Sequence, residues 1–374
     1  MTSAAPPRCL CVAQILPALK EGGVERGTLE VAGALARRGH HALVISGGGR
    51  MVDALLRLGA DHVQLPVGAK SPLTLRFVPK LRRLLKERQV DVLHARSRLP
   101  AWIAYLAWRG MPKATRPRFV TTVHGLYSVN AYSAVMTRGE RVIAVSESVR
   151  RYLCGNYPKL DPGKIEVIYR GVDDARFYPD YKPTADWAAR FEADFPQLKD
   201  RFIVTLAGRL SRLKGHEDFL ELIGMLSGRG VPVHGLVVGD DKRRRRQFAD
   251  SLKSTVEKRR LPISFIGNRD DLREIFTVSG VVVSLSNKPE SFGRTILEAL
   301  ALGTPAVGYR HGGVGEILDA MYPQGAATPG NVAAAVDAIE RIQSENLRVE
   351  QGNPFPLRRM LDATLQLYED LADS

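Results

Sequence analysis

The 374 residues, with 44% hydrophobic and 25% charged side chains, have the balance of a water-soluble globular chain long enough for two ordinary domains. No apolar run approaches bilayer-spanning length, Met1 to Arg8 has no signal-like apolar core behind a basic start, and Cys9, Cys11 and Cys154 are too few for a disulfide framework. The net charge of +14 is one-sided: residues 1–180 hold 28 Lys and Arg against 14 Asp and Glu, and the remainder holds 26 of each, so the first half is expected to meet a polyanion.

Cys9 to Leu16 reads as a buried first strand, followed by a loop and a helix from Val24 to Arg37 with Leu29, Val31, Ala32 and Leu35 on its apolar side. Gly22-Gly23 at the turn between them lets backbone approach a ligand without Cβ clashes. Strand patterns follow at Ala42 to Ser46, Val63 to Val67, Val90 to His94, Phe119 to Val123, Val142 to Ser146 and Ile165 to Tyr169, separated mostly by helical spans. That alternation predicts a parallel doubly wound sheet, whose ligands sit at the carboxyl ends of the strands. His94-Ala-Arg96-Ser97-Arg98 and His124-Gly125 fall at such ends and are placed for work, while Ser146 reads as a helix N-cap.

Two helical spans in this half suit an anionic membrane surface. Arg76 to Arg88 sets Phe77, Leu81, Leu84 and Leu85 on one face and five cations around it, and Arg96 to Lys113 carries Trp102, Tyr105 and Trp108 between basic ends.

From Val172 to Arg201 the periodicity breaks into what reads as a linker. A second set of alternations then runs through strands at Phe202 to Ala207, Val233 to Val238, Ile263 to Ile266, Val281 to Leu285 and Pro305 to Tyr309. The basic run Lys242 to Arg246 reads as a solvated face at a helix start. A last helix is expected from Pro356 to Leu371.

Chemistry concentrates in two loops of the second half. Gly208-Arg209-Leu-Ser-Arg-Leu-Lys214-Gly215 follows a strand directly, and Arg209 and Lys214 there are suited to clamp a diphosphate and to stabilise charge as it leaves. Downstream, Glu290-Ser291-Phe292-Gly293-Arg294-Thr295 leads into a helix that carries Glu298 in its second turn. The backbone N–H groups of Gly293, Arg294 and Thr295 favour an anion, and the two carboxylates beside them make poor phosphate ligands but good acceptors for sugar hydroxyls. A phosphate site beside a hydroxyl-binding site points to a nucleotide sugar.

The pattern Glu290-Ser-Phe-Gly-(x)4-Glu298 followed by Ala-Leu-Ala-Leu-Gly-Thr-Pro-Ala-Val, together with Gly208-Arg209 and Lys214-Gly215, resembles the donor-site signature of retaining GT-B glycosyltransferases, especially glycosyltransferase family 4. Ser291 stands where the family usually has Pro, Arg170 where it has Asn, and Gly315 where it has Pro. The resemblance implies a GT-B fold: two Rossmann-like α/β domains, 1–178 and 179–354, facing across a cleft, with 355–374 crossing back as a helix to the first. It further implies that Glu290 holds donor-sugar hydroxyls, Glu298 the ribose, Arg209 and Lys214 the diphosphate, Gly22 and Gly23 the region near the phosphates and the reacting sugar, and His124 the donor sugar. Asn268, after the strand at Ile263 to Ile266, becomes a candidate for the base.

Taken together, these readings predict a retaining hexosyltransferase with His124, Arg209, Lys214 and Glu290 as its catalytic set. No cofactor is expected, and no metal either, since the chain has no Asp-x-Asp pair and no metal-spaced His/Cys cluster. A UDP-sugar is favoured as donor, and the acceptor is a glycolipid or phosphorylated glycan, as in lipopolysaccharide core or other envelope glycan synthesis. The expected location is cytoplasmic, peripheral on the inner face of the membrane. A nucleotide-sugar epimerase of the same fold is the alternative. A basic nucleic-acid-binding protein is a further rival that leaves Glu290 and Glu298 unexplained. The base, sugar, linkage and oligomeric state are not legible in the residues.

Overall fold

The computed structural model describes residues 8–239, 246–350 and 352–374 and divides into two units, one of Met1–Tyr169 with Arg358–Ser374 and the other of Arg170–Leu357. Among the described residues the first unit holds a seven-stranded parallel sheet built from β1 (Cys11–Ile15), β2 (His41–Ser46), β3 (Asp61–Gln64), β4 (Val92–Ala95), β5 (Arg118–Val123), β6 (Arg141–Ala144) and β7 (Ile165–Val167). Their order is β3-β2-β1-β4-β5-β6-β7, so the winding reverses between β1 and β4. Val12, Ala13 and Ile15 of the central strand are fully buried, as a strand covered by helices on both faces requires.

Helices α1 (Gly23–Arg37), α2 (Val52–Arg57), α3 (Phe77–Glu87), α4 (Arg98–Arg109) and α5 (Glu147–Asn156) connect these strands. The apolar stripe of α3 does not face outward: Phe77, Leu81 and Leu85 are buried in the core of the unit, with Leu84 packed against it. In α4, Trp108 is likewise buried, and Trp102 and Tyr105 pack against the same core. Both helices therefore close the sheet with the faces that the sequence offered to a membrane, because an apolar stripe beside a bare sheet is buried there first.

The second unit repeats the plan with β8 (Phe202–Ala207), β9 (Val233–Val238), β10 (Ile263–Phe265), β11 (Val281–Ser284), β12 (Ala306–Tyr309) and β13 (Ala326–Ala327) in the order β10-β9-β8-β11-β12-β13. Its helices are α6 (Ala185–Asp194), α7 (His216–Gly228), α8 (Arg246–Arg259), α9 (Leu272–Val278), α10 (Arg294–Ala301), α11 (Gly312–Met321) and α12 (Val332–Ser344). Of the basic run, Lys242 to Arg245 lies outside the described residues. The stretch read as a linker contains α6, capped by the Thr184 hydroxyl and anchored where Trp187 stacks on Phe191 at 4.7 Å and donates to Asp271 at 2.7 Å. A short helix whose only large apolar side chains are Trp187 and Phe191 leaves little periodicity to read.

Helix α13 (Leu357–Asp373) belongs from Arg358 onward to the first unit. Leu361, Leu365, Tyr368 and Leu371 recur at helical spacing and are buried. The Tyr368 hydroxyl bonds His94 Nδ1 at 2.6 Å, Asp362 pairs with Arg38, and Glu369 lies 3.5 Å from His40.

Candidate active site

In each sheet the point where the winding reverses is flanked by the loops that carry the candidate residues. β1 leads to Gly22-Gly23, β8 to Arg209 and Lys214, and β11 to Glu290. Open parallel sheets bind ligands at this position.

The loop between β11 and α10 is held from two sides. On one flank the Asn287 N–H donates to Leu213 O at 3.0 Å and Asn287 Nδ2 to Arg212 O at 3.1 Å, tying it to the loop that bears Lys214. The next residue, Gly215, has φ +69°, and a Cβ there would lie 1.7 Å from the Leu285 carbonyl oxygen, so only glycine lets the two loops meet. On the other flank the Gly313 N–H donates to Glu290 O at 2.8 Å, and a Cβ on Gly313 would sit 2.3 Å from Phe292 Cα. Phe292, itself buried, meets Phe355 edge-on with centroids 6.0 Å apart. It acts here as the anchor of the loop.

That frame fixes one carboxylate. Oε1 of Glu290 accepts from Lys214 Nζ at 2.8 Å, from Ser284 Oγ at 3.3 Å and from Ser286 Oγ. None of these three bonds falls on Oε2. Burial alone would raise the pKa of Glu290, but the Lys214 charge and the bonds from Lys214, Ser286 and Ser284 outweigh it and hold the group below the usual carboxylate range. The result is an ionised carboxylate held in a fixed orientation through one oxygen.

Glu298, 4% exposed, is the second carboxylate. It accepts from Arg294 Nε at 2.8 Å, four residues earlier on α10. Gly293, the N-cap residue at φ +102°, supplies no side-chain cap, so the start of α10 is left to backbone N–H groups. Arg209 is exposed after β8, and Asn268 is exposed in the loop after β10, next to an Arg269–Asp271 pair joined at 2.6 and 2.8 Å.

In the first unit, Gly22 caps α1 with φ 131° and Gly23 opens the helix. Beside Gly22 stands Glu25, whose pKa is pushed up by burial against an opposing pull from Arg96. His124 follows β5 directly and is partly buried, and the ring of Tyr127 in the same loop lies under Arg98 of α4 at 4.6 Å. His94 and Arg96, expected at the same strand end, are both buried, His94 between Tyr368 and Thr122 and Arg96 with Nη1 2.6 Å from Gln14 Oε1. These bonds tie the end of β4 to α13, β5 and β1.

Comparison with known proteins agrees with this construction. Residues 21–176 match the model for Glycosyltransferase Family 4, and residues 189–354 match that for Glycosyl transferases group 1. The chain is 30% identical to a crystallised glycosyltransferase from Rickettsia africae, with a TM-score of 0.82 and coverage of 97% of this chain and 98% of that one. The chain belongs to the family 4 type of GT-B glycosyltransferases. Among relatives, this glycosyltransferase is 26% identical over 351 residues to the N-acetyl-alpha-D-glucosaminyl L-malate synthase of Bacillus anthracis, covering 86% of this chain and 85% of that protein. It shares its fold with Anabaena HepE, crystallised with UDP and glucose, at 19% identity and a TM-score of 0.79 over 96% of this chain and 100% of that one.

The structure adds to the glycosyltransferase site two residues that motif reading passed over. Ser284 and Ser286 stand two apart at the end of β11, a spacing that turns both hydroxyls to the same side, and both bond Glu290. The alternation was the available signal. His311 does the same for the backbone, donating from Nε2 to Ser286 O at 2.8 Å.

Proposed function

We propose that this glycosyltransferase moves a hexose-type sugar from a nucleoside diphosphate sugar, UDP-sugar first, to a membrane-associated or phosphorylated glycan, with retention of anomeric configuration and without a metal. The observation that carries the donor reading is the Glu290 carboxylate, ionised, locked through Oε1 and beside Lys214. Such a group accepts sugar hydroxyls, and the neighbouring cation and the start of α10 stabilise the charge that grows on the departing diphosphate. The UDP in the HepE structure favours uracil as the base.

In this reading the acceptor hydroxyl attacks on the face the diphosphate leaves. Its proton passes to a leaving phosphate oxygen, and Lys214 and Arg209 neutralise that group through an oxocarbenium-like state. His124 lies by the donor sugar.

The acceptor reading rests on charge. Arg76, Lys80, Arg83, Lys86 and Arg88 are exposed around α3, and Leu73 and Leu75 beside them are 68% and 54% exposed. A surface of cations with two projecting leucines suits the inner face of an anionic membrane, peripherally, and envelope glycans such as lipopolysaccharide core are assembled on lipids. No helix of the described residues is long and apolar enough to cross a membrane.

The test is a panel of UDP-, GDP- and ADP-sugars, with binding and slow hydrolysis measured for the wild type, Lys214→Ala and Glu298→Ala. Binding of one sugar nucleotide, lost in both variants, supports the donor site; no binding above background overturns it. With an acceptor in hand, an inverted product anomer or dependence on added divalent metal contradicts the mechanism.

A further inference from the structure

The Arg294 side chain is misplaced as a helix stabiliser in two respects. It is a cation in the first turn of α10, where the helix dipole is positive, and its pair with Glu298 runs cation to carboxylate along the helix, the weaker order for an i,i+4 pair. Yet the bond is short, at 2.8 Å, and the carboxylate it meets is nearly fully buried. A buried carboxylate demands partners, so whatever takes Glu298 from Arg294 must bring donors of its own.

We infer that Arg294 is a third cation of the donor diphosphate site, paired with Glu298 in the nucleotide-free protein and passing to a phosphate oxygen when ribose hydroxyls occupy that carboxylate. The inference rests on the donor-site reading above and adds a linkage within it. Two ribose O–H groups replace the guanidinium as donors to Glu298. The released guanidinium then stands at a helix start that already attracts an anion, with the planar fork that suits phosphate. Arg294 ceases to oppose the helix dipole once a phosphate lies between them. Nucleoside and diphosphate thus help one another bind, because neither exchange is complete alone.

Calorimetric titration of UDP and of uridine into the wild type, Arg294→Leu and Arg294→Lys tests this, with the other nucleosides and diphosphates substituted if the sugar-nucleotide panel selects another base. Arg294→Leu is expected to lose about tenfold or more in UDP affinity while binding uridine as well as or better than the wild type, since Glu298 is released in advance. Arg294→Lys is expected to fall between, and it carries the comparison if the leucine variant does not fold. Equal losses for UDP and uridine, or no loss for UDP, overturn the inference. If the wild type binds no nucleoside diphosphate, the donor-site reading falls and this one with it. If the wild type binds UDP and Arg294→Leu binds it equally, only the role of Arg294 falls.

Discussion

Lys214 Nζ and Glu290 Oε1 lie 2.8 Å apart, so the cation assigned to the departing phosphate also sets the charge state of the carboxylate assigned to the sugar. Removing Lys214 acts twice. Lys214→Ala is expected to lower kcat/KM by about 10²- to 10³-fold through the phosphate. It also leaves the burial of Glu290 unopposed by the amine, so the pKa of that carboxyl rises. The acid limb of the pH–rate profile then moves to higher pH, and profiles of both proteins between pH 5 and 8 check it.

Glu290→Gln keeps the shape of the side chain and removes its charge. UDP is expected to bind within a few-fold of the wild type, whereas turnover of the UDP-sugar falls by about 10²-fold or more, because the proposed role of the lost acceptor is to hold the sugar. Ser286→Ala, which removes one of the three bonds to Oε1, is expected to give a smaller loss of the same kind. Parallel titrations and rates separate binding from turnover.

Gly215→Ala sets a Cβ 1.7 Å from the Leu285 carbonyl oxygen at a backbone φ of +69°. The loops bearing Lys214 and Glu290 must separate. Destabilisation of about 2 kcal/mol or more is expected, with a raised KM for the donor, read by thermal melting and initial rates.

His216 opens α7 fully buried, with Nδ1 3.2 Å from Ser211 O, and burial pushes its pKa down to about 4. The unfolded chain binds a proton there near the ordinary value, so the unfolded state holds more protons between about pH 6.5 and 4. The contribution of this histidine to stability is therefore complete above the upper limit and lost progressively toward the lower one. Between pH 7.5 and 5 the loss is about 2 kcal/mol, and His234, also lowered by burial, adds in the same direction. Urea titrations at the two pH values, wild type beside His216→Gln, should show a smaller pH difference in the variant.

Tyr368→Phe removes the buried bond at 2.6 Å between α13 and His94. A cost of about 1 to 2 kcal/mol is expected, with faster amide exchange in α13 than in α12 as the mark of its site.

Much of the molecule could be read from its residues because the strands of a parallel sheet covered on both faces are continuous apolar runs. Phe202–Ala207 and Val233–Val238 match their expected bounds to the residue. Strand β13, two residues long, offers no run to detect, and α6 is held by Trp187 and Asp271 rather than by periodicity. The carboxylates could be found through spacing, whereas the grip on Glu290 combines Lys214 from one loop with Ser284 and Ser286 from another, a meeting that no linear spacing encodes. His94 and Arg96 lie deeper than their strand-end position suggests, for a related reason. A polar residue at a strand end points up toward ligand or down into the layer beneath, and the choice depends on Tyr368, 274 residues away.

The assignment of Arg358–Ser374 to the first unit sets an order on synthesis. A ribosome releases Met1–Tyr169 early, yet Tyr368, Asp362 and Glu369, the α13 partners of His94, Arg38 and His40, emerge only after the whole second unit. The nascent first unit therefore waits with the seat of α13 bare, while Arg170–Leu357 already has its full complement of strands. The second unit is thus the one able to finish folding first, and a fragment ending near residue 178 is expected to aggregate unless the last helix is supplied to it as a separate peptide.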